Sequence, residues 1–272
     1  MGKFDGILIC TDLDGTLLRN DKTISRENLR AMEYFKSEGG LFTIVTGRMP
    51  YYSGEIFDAV RPNAPVGCSN GGGLYDVEKA CYIWQLPLPE SAKELIALVD
   101  EKFPNTGVRV NGFYESWFCK ENDLVLKIRE SRKLPPTGYH YTQVPAAMAK
   151  VTFVDEGEKL IPLRAAVESH PLAKEFTLVL SEETLYEILP KGVGKHLTVE
   201  KLTEVLQLDP KKVIAVGDYY NDLTMLQAAG VGVAVANAVP EVKAAADYVT
   251  VSNEEHAIAQ VIADLEQGVL KL

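Results

Sequence analysis

The chain has 272 residues, enough for one large α/β domain or two unequal ones, and its formal charge of −10 argues against nucleic acid or anionic lipid as principal partner. With 46% hydrophobic and 24% charged residues it has the composition of a globular rather than a disordered chain, and no run approaches the roughly 18 apolar residues of a membrane-spanning helix. Cys10, Cys68, Cys81 and Cys119 are too scattered for a disulfide framework or a CxxC site and read as reduced thiols. The first residues carry neither the basic flank nor the apolar stretch of a signal peptide, so the expected location is cytoplasmic.

In chain order, Ile7–Cys10 is a short apolar run that reads as a buried strand, and Ser25–Glu38 spaces Leu29, Met32, Tyr34 and Phe35 near helical intervals, with Ser25 as N-cap and Gly39-Gly40 beyond the end. Leu41–Val45 is the next strand, Pro50–Val60 the next helix and Val66–Cys68 a third strand. Such nearly continuous apolar runs suit a parallel sheet covered on both faces. From about Leu86 to Thr184 the pattern changes: Arg109–Val110, Tyr114–Cys119, Lys150–Val154 and Phe176–Leu180 alternate or carry aromatics. Helices are predicted at Glu90–Phe103, Asn122–Arg132 and Glu158–Glu168, the last interrupted by Pro162. Alternation predicts an antiparallel sheet with one exposed or ligand-facing side. The first style then returns: helix Lys195–Leu206, strand Val213–Val216, helix Asp222–Ala229 closed by Gly230, strand Val231–Val235 and a short helix Pro240–Ala246. The predicted class is α/β, a Rossmann-like doubly wound parallel-sheet core formed by residues 1–85 and 186–272, with an α+β cap domain, 86–185, inserted into it.

Four segments carry the chemistry. Asp12-Leu13-Asp14-Gly15-Thr16 follows the first strand directly, at the rim where open α/β sheets bind ligands. Carboxylates at i and i+2 can face one cavity, and Gly15 permits the turn that keeps them there. One suits a nucleophile or metal ligand and the other a proton carrier. Alone the fragment is equally a strand-ending turn, whereas an EF-hand loop is excluded because Thr23 stands where the bidentate Glu belongs. Thr46-Gly47-Arg48, after the second strand, offers a phosphate one hydroxyl and backbone N–H donors. Lys191-Gly192-Val193-Gly194-Lys195 brings two lysines to a glycine-rich helix entry, either suited to an anion. Gly217-Asp218-Tyr219-Tyr220-Asn221-Asp222 closes another buried strand with two more carboxylates and an amide. With Asp12, that much acid calls for a hard divalent cation, and few carboxylates with retained waters fit Mg²⁺.

In order and spacing these segments resemble the motifs of the haloacid dehalogenase (HAD) superfamily. The insert between the second and third, together with Cys68-Ser69-Asn70-Gly71-Gly72, the stretch Glu187–Lys195, Gly232–Ala238, Lys243 and Ala246–Thr250, resembles its Cof-type, sugar-phosphatase-like branch. The resemblance implies that Asp12 attacks phosphorus to form an aspartyl-phosphate, while Asp14 protonates the leaving oxygen and then activates water. It implies that Thr46 and Gly47 hold the phosphoryl oxygens and that Lys195 neutralises them. Lys195 is preferred over Lys191 because it stands next to the helix start, although His196 follows where the branch usually shows Gly. Tyr219-Tyr220 and Val235-Ala236 also depart from the branch pattern. The implied Mg²⁺ set is drawn from Asp12, the Leu13 carbonyl, Asp14, Asp218 and Asp222, with Asn221 near the phosphate or Lys195, and Asn70 and Asn237 near the substrate or the cap hinge. In the cap, Arg109, Asn111, Tyr114, Trp117 and Lys120 offer groups for a leaving group. The expected partner is a small phosphorylated metabolite such as a sugar phosphate, FMN or PLP, handled by a monomer or weak homo-oligomer with no nucleic-acid or membrane role. A phosphomutase using the same aspartyl-phosphate, or an inactive phosphometabolite-binding regulator, are the alternatives.

Overall fold

Four apolar-to-neutral residues in a row give a strand no side to show to water, and Leu8–Thr11 (β1) is buried along its whole length. The computed structural model that supplies this description covers residues 2–131, 134, 138–145 and 147–272. Helix α1 (Arg26–Ser37) starts where the Ser25 hydroxyl accepts the Asn28 N–H at 3.2 Å, and it turns Met32 and Phe35 inward. Strand β2 (Leu41–Ile44) follows, then α2 (Gly54–Val60), shorter than the helix expected from Pro50 because a separate 3₁₀ turn occupies Pro50–Tyr52 and Ser53 breaks the run.

Strands β3 (Val66–Cys68), β4 (Gly73–Asp76) and β5 (Cys81–Gln85) form a small antiparallel sheet. Val66–Cys68 was expected in the parallel sheet, and it keeps one parallel bridge, Val45 to Gly67. Its ladder is antiparallel because Ser69, Asn70 and Gly71 all take positive φ and reverse the chain at once.

The second unit contains α3 (Ala92–Lys102), β6 (Gly107–Gly112), β7 (Ser116–Lys120), α4 (Asp123–Ser131), β8 (Met148–Val154), α5 (Gly157–Glu168), β9 (Phe176–Glu182) and β10 (Leu185–Pro190). Its sheet is antiparallel in the order β7-β6-β8-β10-β9. The expected end of α4 at Arg132 lies outside the described residues. Pro162 does not interrupt α5, whose Leu160, Leu163 and Val167 are packed into the core and hold the helix across the one main-chain bond that proline lacks.

The chain then returns through α6 (Lys195–Leu206), β11 (Val213–Gly217), α7 (Leu223–Ala228), β12 (Val231–Ala234), α8 (Pro240–Ala245), β13 (Tyr248–Val249) and α9 (Ala257–Glu266). The resulting sheet is parallel throughout, in the order β13-β12-β11-β1-β2, with Leu8 paired to Leu41 on one side and Val213 on the other. From β1 the chain moves outward to β2, and from β11 outward the opposite way, so the carboxyl ends of β1 and β11 flank the point where the winding reverses. That is where ligands bind in open α/β sheets.

Two compact units result: Met1–Arg48 with Ser53–Gln85 and Gly194–Leu272, and Met49–Tyr52 with Leu86–Val193. The expected return at 186 therefore falls inside β10, whose Glu187 is satisfied by its neighbours in the antiparallel sheet. Each unit has its own apolar core, and no described helix is long and apolar enough to cross a membrane. In the first core Phe35 is fully buried against Phe4, ring centroids 4.8 Å apart. Phe35→Ala should lower unfolding stability by roughly 3–5 kcal/mol, read as a drop in the urea midpoint.

Candidate active site

Asp12 follows β1 directly, and its N–H still donates to Val216 O at 2.9 Å, so the parallel ladder fixes the residue just past the strand end. Gly15 sits at φ +85°, and a Cβ there would lie 2.5 Å from Asp218 Oδ2. Glycine is thus required both for the turn and for the approach of the two loops. Thr16 donates its hydroxyl to Asp218 Oδ1 at 2.7 Å, tying the loop after β1 to the loop after β11.

Lys195, the first residue of α6, is fully buried, and its ammonium donates to Asp12 Oδ1 and Asp222 Oδ1, both at 2.5 Å. The other Asp222 oxygen accepts the N–H groups of Asp218 and Tyr219 at 2.9 and 3.0 Å, so Asp222 braces its own loop. Asp12, Asp218 and Asp222 each bring a carboxylate oxygen within 4.8 Å of the others. Three carboxylates against one ammonium is an excess of negative charge in a dry place. Burial pushes the Asp12 carboxyl well above its usual range, Lys195 opposing and Asp222, Asp218 and Asp14 reinforcing it. Asp218 is pushed up to about 7, first by burial and then by Asp222, against the Thr16 hydrogen bond and Lys195. For Lys195 burial acts downward, but Asp12 and Asp222 outweigh it and hold the ammonium charged. Oxygen-only donors with surplus charge at this spacing fit a hard divalent cation.

Asp14 is not in that cluster, contrary to its expected place in the metal set. Its carboxylate takes the Arg48 guanidinium in a fork, Nε to Oδ2 at 2.8 Å and the terminal nitrogen to Oδ1 at 2.7 Å, and accepts Lys22 Nζ at 2.9 Å. Burial acts upward on Asp14, but Arg48 and Lys22 prevail and hold it at about 2. The Leu13 side chain is fully buried, and its carbonyl accepts the Leu18 N–H at 2.8 Å inside the turn.

Thr46 is buried at the end of β2, its hydroxyl oxygen accepting the Arg48 N–H at 3.1 Å. Beside it, Asn70 in the positive-φ turn donates its N–H to Thr46 O at 3.1 Å and accepts Asn221 Nδ2 at 3.0 Å. Gly47 is packed so closely that a Cβ would meet Asn70 Oδ1 at 2.9 Å. Thr46, Gly47, Asn70 and Asn221 therefore form one linked set spanning three loops. Asn237 is more distant in role, because Nδ2 donates to Gly15 O at 2.8 Å and Oδ1 accepts Asn253 N–H at 2.9 Å, which makes it a support for the Gly15 turn. Lys191 is exposed in the second unit and donates to Lys174 O at 2.5 Å; Lys195 alone of the two reaches Asp12.

Sequence reasoning missed Thr16, Lys22 and Arg48 as site residues. Arg48 had a usable signal, since it lies two positions past Thr46 on the same rim; Lys22 had none.

The haloacid dehalogenase-like hydrolase family matches residues 9–262. A putative phosphatase of Bacillus subtilis, YxeH, is 29% identical over 278 residues, covering 95% of this chain and 97% of the relative. The B. subtilis 5-amino-6-(5-phospho-D-ribitylamino)uracil phosphatase YwtE is 27% identical over 282 residues, covering 96% and 98%. A crystal structure of a haloacid dehalogenase-like hydrolase from Bacteroides thetaiotaomicron superposes with TM-score 0.83 at 29% identity, covering 97% of this chain and 100% of that one. Family match, overall fold and rim carboxylates agree, and the chain belongs to the haloacid dehalogenase-like hydrolases.

Proposed function

We propose that this protein is a Mg²⁺-dependent phosphatase of small phosphorylated metabolites, cytoplasmic, acting as a monomer or weak homo-oligomer, with Asp12 as nucleophile and the second unit as its specificity cap. The observation that carries the reading is the fully buried Lys195 ammonium bridging Asp12 and Asp222, with Asp218 completing the oxygen cluster. The name of YwtE supports the substrate class, a phosphate ester on a hydroxylated chain, though not that compound itself.

An Asp12 oxygen attacks phosphorus and the ester P–O bond breaks, leaving a phosphoryl group on Asp12. The departing oxygen takes a proton from Asp14, which then accepts one from the water that hydrolyses the aspartyl-phosphate. Thr46 donates its hydroxyl to a phosphoryl oxygen, the Gly47 backbone lies alongside, and Lys195 offsets charge on the transferred group. Asp12 and Asp218, with Asp222 behind them, would hold a divalent cation, whose charge would offset the repulsion between the Asp12 carboxylate and the phosphate dianion. Asp14 must leave the Arg48 fork to hold a proton near neutral pH, because a carboxyl kept at about 2 is ionised there.

Asp12→Asn should reduce p-nitrophenyl phosphate turnover in Mg²⁺ by roughly a thousandfold or more, and Lys195→Ala should fall nearly as far, while Lys191→Ala stays within about threefold of wild type. Near-wild-type turnover by Asp12→Asn would remove the covalent mechanism.

A second outcome concerns pH. The folded Asp218 pKa of about 7 lies above its usual value, 3.8. Without metal, its contribution to stability is fully present below about pH 4 and is lost as pH rises through about 7. Asp218→Asn carries no such proton. Its melting temperature should therefore gain on wild type between pH 4 and 7 in chelator, and millimolar Mg²⁺ should erase the gain. A difference that stays flat with pH would contradict the charge assignment.

A further inference from the structure

In the turn that follows β3, Ser69, Asn70 and Gly71 stand in succession at φ +54°, +54° and +95°. Left-handed backbone suits Gly71, whereas serine and asparagine occupy it at a cost. The Ser69 hydroxyl is in addition buried without a hydrogen-bond partner among the described residues. Such a conformation persists only where surrounding contacts over-determine it, and strain of this kind collects at functional sites.

The contacts that hold the turn run to other parts of the first unit. Ser69 N–H donates to Arg48 O at 3.2 Å and Asn70 N–H to Thr46 O at 3.1 Å. With Thr46 N–H on Gly67 O at 2.9 Å, they lace Thr46–Arg48 onto the end of β3 and its turn. The buried Asn70 amide lies against Gly47, where a Cβ would come 2.9 Å from Oδ1 and 3.2 Å from Nδ2. The same Oδ1 accepts Asn221 Nδ2 at 3.0 Å, which reaches the loop after β11. One amide therefore meets the loops after both β2 and β11, while Gly71 beside it is pressed against the Gly194 carbonyl and Lys195 at the start of α6. A side chain in this place has to tolerate the left-handed region, accept a hydrogen bond and remain short. Asparagine does so without adding charge to a rim already rich in acid.

We infer that Asn70 is a positioning residue for phosphoryl transfer. It acts through Thr46, Gly47 and Asn221, and it sets the spacing between the loop proposed to cradle the phosphoryl oxygens and the loop that carries Asp218 and Asp222. Its Oδ1 also decides which way the Asn221 amide faces, since only the nitrogen end of that amide can donate to it. The inference rests on the phosphatase reading above, because what Asn70 holds in place is the phosphoryl cradle.

The full chain is assayed with p-nitrophenyl phosphate in Mg²⁺, and with orthovanadate, a five-coordinate mimic of the group in transfer, as inhibitor. Asn70→Gly suits the left-handed backbone, keeps the N–H to Thr46 and removes the amide. It should lower kcat about tenfold or more and weaken orthovanadate inhibition by a similar factor, with KM shifted by less than about threefold, because a displaced cradle is felt in the transition state. Gly47→Ala, which drives a methyl group into that amide, should cause the same paired loss in wild type. In the Asn70→Gly background, where the obstacle is gone, it should add less than about threefold. Unchanged kcat and orthovanadate inhibition in Asn70→Gly, even with a lowered melting temperature, would mean a purely structural role and overturn the inference. Losses that multiply in full in the double variant overturn it as well. Should Asn70→Gly fail to fold, Gly47→Ala alone decides: the paired loss at constant KM supports the inference, and its absence overturns it. Lack of aryl phosphate turnover in wild type would instead count against the phosphatase reading. Calorimetric binding of orthovanadate then decides the role of Asn70, weaker binding by Asn70→Gly supporting it and equal binding overturning it.

Discussion

An ammonium with no exposed surface is tolerable only if opposite charge meets it, and Lys195 meets two carboxylates. Taking such an ion out of water costs several kcal/mol, offset here by Asp12 and Asp222 together with their hydrogen bonds. The dependence is mutual, since Lys195 opposes the burial and the acidic neighbours that push the Asp12 carboxyl up. Much of the nearby backbone serves this contact. The Ser69–Gly71 turn passes so close to the start of α6 that a side chain on Gly71 would collide with the Gly194 carbonyl. Asp222 is fixed by the N–H groups of its own loop, and Asp218 by Thr16.

The parts of this arrangement that could be read from the chain are those governed by local rules. Uninterrupted apolar runs marked β1, β2, β11 and β12, and Ser25 marked the start of α1, because burial and capping are decided within a few residues. The direction of Val66–Cys68 was not legible, since three apolar residues give burial without orientation and the positive-φ turn after them decides the pairing. The return to the core, placed at 186, falls inside the strand Leu185–Pro190, where the residue that makes the buried Glu187 acceptable, Lys150, lies on another strand. The same holds at the site. Acidic residues at strand ends announced a charged rim, but the Arg48 fork on Asp14 and the engagement of the Leu13 carbonyl are matters of distance that no spacing encodes.

Two carboxylates one residue apart therefore end in opposite electrostatic states. Asp12 faces a lysine across a crowd of acids and is pushed up, whereas Asp14 faces an arginine and a second lysine and is held down. Neighbouring acids with divergent proton affinities are the usual basis for dividing nucleophile from proton carrier. The Arg48 fork and Lys22 account for the low state of Asp14, as burial among acids accounts for the high state of Asp12.

The Lys195–Asp12 contact joins residues 183 positions apart. At a synthesis rate of about 5–20 residues per second, roughly ten to forty seconds separate their appearance at the ribosome. Throughout that interval β1, a middle strand of the finished sheet, has β2 on one side and nothing on the other, because β11 has yet to be made. Long separation of the pieces of a buried sheet slows its completion and lengthens exposure of apolar edges. The second unit, contiguous apart from the short Met49–Tyr52 segment, can close during the wait. The nascent chain thus keeps the β11 side of β1 unpaired until the last part of the first unit is made, a timing set by where the insert interrupts the sheet.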